Sequence, residues 1–140
     1  MTTFLCKLLI TEGKEAEYEK VQRKLYEETH ANEQGCVRYE FYRATADRTY
    51  YALLSFSDYK AFFIHQVADY HVDANLDPLL EAVEIIWLDP MDGGNKLVGT
   101  NPEPVTDDMG TPAELSTWRK LYEGNFNLSI PEWWKRLRQA

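Results

Sequence analysis

The chain has 140 residues, enough for one domain or one domain with a tail, and its 44% hydrophobic and 27% charged content is that of a packed globular protein. Lys and Arg number 15 against 23 Asp and Glu, a net charge of −8 that repels phosphate backbones and anionic headgroups, so neither nucleic acid nor a membrane surface is an expected partner. These figures exclude disorder, collagen and disulfide scaffolds. The 4 Trp, 9 Tyr and 6 Phe exceed what one small core needs and point to a second apolar surface, in a pocket or a subunit interface.

Residues 3–10 are apolar at alternate positions on both faces, with Phe4, Cys6, Leu8 and Ile10 on one and Leu5 and Leu9 on the other. That pattern predicts a strand covered on both sides. Residues 14–33 carry no Pro or Gly and place Tyr18, Val21, Leu25 and Thr29 on one stripe, predicting an amphipathic helix that Gly35 ends as a C′ glycine. Strands follow at 36–44 and 49–56 around the turn Ala46-Asp47-Arg48. Ser57 or Asp58 can cap a helix running to about His71, with a break before a further turn at 73–82, and residues 83–88 form the last strand. The order β-α-β-β-α-β is the ferredoxin-like α+β plan with an antiparallel sheet, and residues 1–90 are its domain.

After Pro90 the composition changes. Residues 91–111 hold four of the seven glycines and show no apolar period, which reads as a linker or surface arm. Thr111-Pro112-Ala113-Glu114 has capping-box spacing with Pro at the first helical position, and Ser129-Ile130-Pro131-Glu132 repeats it. Residues 91–140 are therefore predicted to be a linker and a C-terminal helical arm. The last ten residues hold Lys135, Arg136 and Arg138 against Glu132, so this Trp-bearing end could dock on the acidic body, in its own subunit or a partner.

No run of apolar residues exceeds about five, too short to span a bilayer, and residues 1–7 lack the features of a signal peptide. Cys6 and Cys36 have no CxxC spacing and read as small buried hydrophobes in a reducing cytoplasm, the expected location.

Most catalytic signatures are absent: there is no HExxH, GxSxG or Gly-rich phosphate loop. The carboxylates Glu12, Glu15, Glu17 and Glu19 read as a solvated helix face. His30 suits the C-terminal end of its helix. His65 and His71 lie six residues apart, about 120° out of register on a regular helix, so only a break between them could aim both at one point. A stripe of Ile64, Val67, Ala68 and His71 puts His71 with the core-facing residues and His65 at the flank. In an apolar cavity His71 would stay neutral and serve as a base; otherwise it is a core histidine. Among the strand aromatics Tyr39, Tyr42, Tyr50, Tyr51 and Phe56, a few hydroxyls in a pocket would orient a flat, oxygenated ligand.

Gly35-Cys36-Val37-Arg38-Tyr39-Glu40-Phe41-Tyr42 resembles the G-C-x-x-Y-x-x-Y strand of the antibiotic biosynthesis monooxygenase (ABM) family. Residues 49–54, then 61–65 and Asp69-Tyr70-His71, are similar to that family's next strand and its helix with paired histidines. The resemblance implies a homodimeric α+β barrel and a cofactor-independent oxygenase acting with O₂ on a quinol or polycyclic phenol, a small aromatic partner. It carries the histidine pair onto His65 and His71; of these His71 would be the base and His65 would position the substrate, with Tyr51, Tyr39, Phe56 and Phe62 as the expected substrate contacts. The third strand departs from the family pattern, with Leu54 and Phe56 where many members have Glu and Trp. A non-catalytic binding or stress-response module on the same barrel, and a lyase or isomerase, remain the alternatives.

Overall fold

A computed structural model describes residues 1–101 and 103–139. Strand β1 (Thr2–Ile10) leads to helix α1 (Glu15–Asn32), and strands β2 (Cys36–Arg43) and β3 (Thr49–Phe56) follow as a hairpin. Helix α2 (Tyr59–Val67), a short helix α3 (Asp69–Asp73) and a 3₁₀ turn at Asp77–Leu79 return the chain to strand β4 (Leu80–Trp87). Neighbouring strands are antiparallel and the sheet order is β2-β3-β1-β4, the ferredoxin-like topology.

The register sorts the side chains by face, because successive residues of a strand point to opposite sides. Phe4 lies opposite Leu54 and Trp87, and Cys6 opposite Ala52 and Ile85, so these residues share the face covered by the helices. Leu5, Leu53 and Ile86 lie across from one another on the other face, together with Leu9 and Tyr51, and all five are half-buried.

Two helices present faces other than the hydropathy pattern suggests. In α1 the buried stripe is Tyr18, Gln22, Leu25 and Thr29, with Gln22 replacing the predicted Val21. Gln22 can be buried because its side-chain amide donates to the Tyr39 hydroxyl at 3.1 Å. In α2, capped by Asp58 Oδ1 accepting from Ala61 N–H at 2.7 Å, the buried side chains are Tyr59, Phe62, Phe63 and His65. The predicted stripe of Ile64 and Val67 faces outward, 44% and 37% exposed. An apolar nonamer has no hydropathic preference for one face, and packing of the two large phenylalanines decides it.

Gly35 does not terminate α1 as a left-handed C′ residue. The helix ends at Asn32, with Glu33 already extended. What Gly35 provides is space, since a Cβ there would stand 2.4 Å from the Ala61 Cβ of α2.

Residues beyond β4 pack on their own body. Thr100, fully buried, donates its hydroxyl to the Leu88 carbonyl at 2.6 Å and accepts from Thr3 N–H at 3.2 Å, closing the sheet where β4 stops. Helix α4 (Pro112–Leu121) opens with the capping box of Thr111 and Glu114 that the sequence predicts. It lays Trp118 on Phe63, with ring centroids 6.2 Å apart and planes 17° from parallel. A π-type turn at Tyr122–Phe126 brings Phe126 against Phe62 at 4.6 Å, and the Phe126 carbonyl accepts from the Tyr59 hydroxyl. Helix α5 (Glu132–Arg138) starts behind Pro131 without a side-chain cap, so Ser129 is not the cap its spacing suggests. Arg138 grips Asp89 with two hydrogen bonds and donates to the Thr100 carbonyl, so the basic end docks within its own subunit.

Candidate active site

A cavity of about 350 Å³ lies between the helices and the sheet. Its floor is apolar, from Phe4 and Leu8 of β1, Ala52 and Leu54 of β3 and Ile85 of β4. Its roof carries Tyr18 and Gln22 from α1 and His65, Gln66 and His71 from the α2–α3 segment, and Phe126 of the tail forms part of the wall.

The break between α2 and α3 assembles the histidines. Ala68 takes an extended conformation (φ −59°, ψ 136°), interrupting the 100° advance per residue. His65 and His71 therefore meet, with ring centroids 4.7 Å apart. Their burial is the reverse of the predicted one: His65 is 1% exposed, whereas His71 is half-buried at the cavity.

Behind His65 stands Glu33. Both of its carboxylate oxygens lie 3.1 Å from His65 Nδ1, and the Tyr70 hydroxyl donates to one of them. The Glu33 side chain is only 5% exposed. With a carboxylate as acceptor, Nδ1 of His65 carries a proton toward Glu33. Neither Glu33 nor Tyr70 is indicated by sequence patterning. Glu33 falls one residue past the end of α1, where helical periodicity says nothing, and its partners are 32 and 37 residues away.

His71 is held far from its ordinary titration range. Desolvation in the apolar cavity, and next the neighbouring His65, lower its pKa from 6.5 to about 4, while Glu33 pulls the other way. Its imidazole is neutral at pH 7. Burial pushes the Cys6 thiol of the cavity floor up to about 12, so no thiolate is present there. The Tyr39 hydroxyl is likewise raised by burial and stays protonated.

Of the residues the sequence nominates, His71, His65 and Tyr39 come together at the cavity. Phe56 and Phe62 are fully buried behind it, Phe56 with its ring 5.2 Å from that of His65 and Phe62 5.1 Å from Phe4. They support the site and do not line it. Tyr51 pairs with Lys7 and Tyr42 on the opposite face of the sheet, because β3 alternates and its cavity-side residues are Ala52 and Leu54. It cannot touch a ligand in this cavity. Among the described residues no group of three or more His, Cys, Asp or Glu side chains could hold a metal ion, and no helix is long and apolar enough to cross a membrane.

The profile of the antibiotic biosynthesis monooxygenase family matches residues 1–75. Among solved structures, a Caulobacter crescentus protein provisionally named an antibiotic biosynthesis monooxygenase superposes with a TM-score of 0.60 at 30% identity, over 64% of this chain and 88% of that one. A conserved protein of Methanosarcina mazei (TM-score 0.55, 22% identity, 63% of this chain and 92% of that one) shares the fold. So does a Mycobacterium tuberculosis protein (TM-score 0.60, 14% identity, 67% and 98%). No curated protein matches the chain. With the family profile covering more than half of its length, the topology and the aligned Caulobacter structure agreeing, the chain belongs to the antibiotic biosynthesis monooxygenase family.

Proposed function

We propose that the protein is a cofactor-independent monooxygenase for a flat phenolic molecule, with His71 as the base. The observation that carries this reading is the neutral imidazole of His71 in an apolar cavity, backed by a histidine anchored to a buried carboxylate. A base must be unprotonated at working pH, and desolvation guarantees that here. The proton it accepts is stabilised by the phenolate formed beside it and by Glu33, whose charge favours imidazolium. Glu33 acts through His65 and is a positioning residue.

The chemistry balances without an added reductant. His71 takes the proton of a phenolic hydroxyl. The resulting phenolate passes an electron to O₂, and the radical pair combines to a peroxide at the ring C–H carbon para to the oxygen. Imidazolium returns its proton to the peroxide, which loses water and leaves a carbonyl. One oxygen atom enters the product, the other becomes water, and the substrate supplies all the electrons.

The active unit in this reading is a homodimer. The outer sheet face presents Leu5, Leu9, Leu53, Ile86 and Tyr51 around Lys7 and Glu84, with more apolar surface than a face turned to water carries. Tyr51 thus serves the subunit interface in place of the substrate contact foreseen for it.

O₂ uptake by the metal-free protein with quinols, anthrones and flavonols tests the proposal, with the oligomeric state of the same sample read by light scattering. Protein-dependent uptake that falls by about 10²–10⁴ in His71→Ala, with the fold intact, is the expected result. A folded dimer without uptake on any of these substrates would replace the oxygenase by a binding module.

A further inference from the structure

We infer that Tyr18 is a ligand-orienting residue whose hydroxyl donates to a carbonyl or other acceptor oxygen on a neutral aromatic ligand, at a position distinct from the histidines. The inference rests on the reading of this cavity as the ligand site, and it adds a requirement on the substrate: a second oxygen, besides the acidic group presented to His71.

The Tyr18 side chain is 1% exposed, lines the cavity, and has no hydrogen-bond partner for its hydroxyl among the described residues. A buried hydroxyl without a partner is unfavourable and calls for an explanation. Its neighbours do not supply one. The Tyr50 ring packs on it edge-on at 5.0 Å, but the Tyr50 hydroxyl donates to Glu19. Gln22, one turn further along α1 on the same face, spends its amide N–H on Tyr39.

That last bond matters for the ligand's chemistry. Tyr39 accepts from Gln22, so its own proton remains free to donate. Two phenol O–H donors, Tyr18 and Tyr39, therefore belong to one cavity. Burial raises both hydroxyls, so both stay protonated and donate across the physiological range. No Lys or Arg lines the cavity, and an anionic ligand would find no fixed countercharge. Donors without cations select an uncharged acceptor, which on an aromatic skeleton is a ring ketone.

The test, run without O₂ so that neither phenol can turn over, uses two probes, 2-hydroxy-9-fluorenone and 2-hydroxyfluorene. They share the hydroxyl and the flat tricyclic shape and differ in the carbonyl alone. Affinities are read by quenching of the protein's own fluorescence, for the wild type and for Tyr18→Phe. The wild type should prefer the ketone by about three- to tenfold, the range of one neutral hydrogen bond. Tyr18→Phe should abolish that preference, leave affinity for the fluorene unchanged, and keep or raise the melting temperature, since the hydroxyl lost has no partner in the protein.

Equal affinity of the wild type for the two probes, or no binding of either, overturns the inference. So does a ketone preference that survives in Tyr18→Phe. A large drop in the melting temperature of Tyr18→Phe would overturn it too, by showing that the hydroxyl is satisfied within the protein. None of these readouts involves O₂ or proton transfer to His71. A failure of oxygenase activity and a failure of this inference are thus separable.

Discussion

Protonating His71 should unfold the protein more readily than protonating an ordinary histidine would. In the unfolded chain the imidazole titrates near 6.5, whereas in the fold it resists protonation until about 4. Between those values the unfolded state binds more protons, so stability rises with pH through this window and is fully present above it. As pH falls from about 6.5 to 4 the contribution is lost, and at 1.36 kcal/mol per tenfold in proton affinity it amounts to about 3 kcal/mol. The groups around His71 that set the shift are the apolar cavity wall and His65, which disfavour its charge, and Glu33 and the Gln66 backbone, which favour it. Urea unfolding of the wild type and of His71→Asn at a series of pH values measures the effect. The carboxylates common to both proteins cancel in the difference. The wild type should lose about 2–3 kcal/mol more than the variant on going from about pH 7.5 to 4, and the His71 ring protons should titrate well below pH 5.5 by NMR. A ring that titrates near 6.5, with parallel stability curves, would refute the argument: His71 would then be hydrated, and the cavity would not hold a base neutral by desolvation.

The buried carboxylate and the tail each make a separate prediction. Glu33→Ala leaves the Nδ1–H of His65 and the hydroxyl of Tyr70 without their acceptor, and should cost about 2–4 kcal/mol in urea unfolding. Glu33→Gln, which retains one acceptor oxygen, should cost less, and equal losses would show that the charge rather than the hydrogen bonding matters. Trp118 is 2% exposed and stacked on Phe63, so Trp118→Ala should destabilise the whole protein by about 3–5 kcal/mol in a single transition. An unchanged unfolding midpoint for the body, with only the tail released, would show instead that the tail is an independent lid.

Hydropathy and turn chemistry made much of the architecture legible. Strand β3 runs from Thr49 to Phe56 as the pattern predicts, and the Thr111–Glu114 capping box starts α4 where its spacing says. These are local signals, set by residues two to four apart. The two errors of face, Val21 for Gln22 in α1 and Ile64 for Phe63 in α2, have a common origin. Hydropathy ranks side chains by their transfer from water, but Gln22 is buried because Tyr39, from another element, takes its hydrogen bond. Phe63 is buried because Trp118, 55 residues later, covers it.

The candidate site divides in the same way. Composition and order alone determined that this is a ferredoxin-like chain with a histidine pair on its second helical segment, and that its aromatic content exceeds one core. Tertiary structure decided the rest. It bends the backbone at Ala68 so that His65 and His71 meet, turns Tyr51 to the far side of the sheet, sets Glu33 behind His65 and brings Tyr18 to the cavity. The reason is physical: periodicity records which side of an element a residue occupies, whereas a site is made of side chains from several elements. Their meeting is fixed by packing, desolvation and the pairing of buried polar groups, which act between positions that the sequence separates by tens of residues.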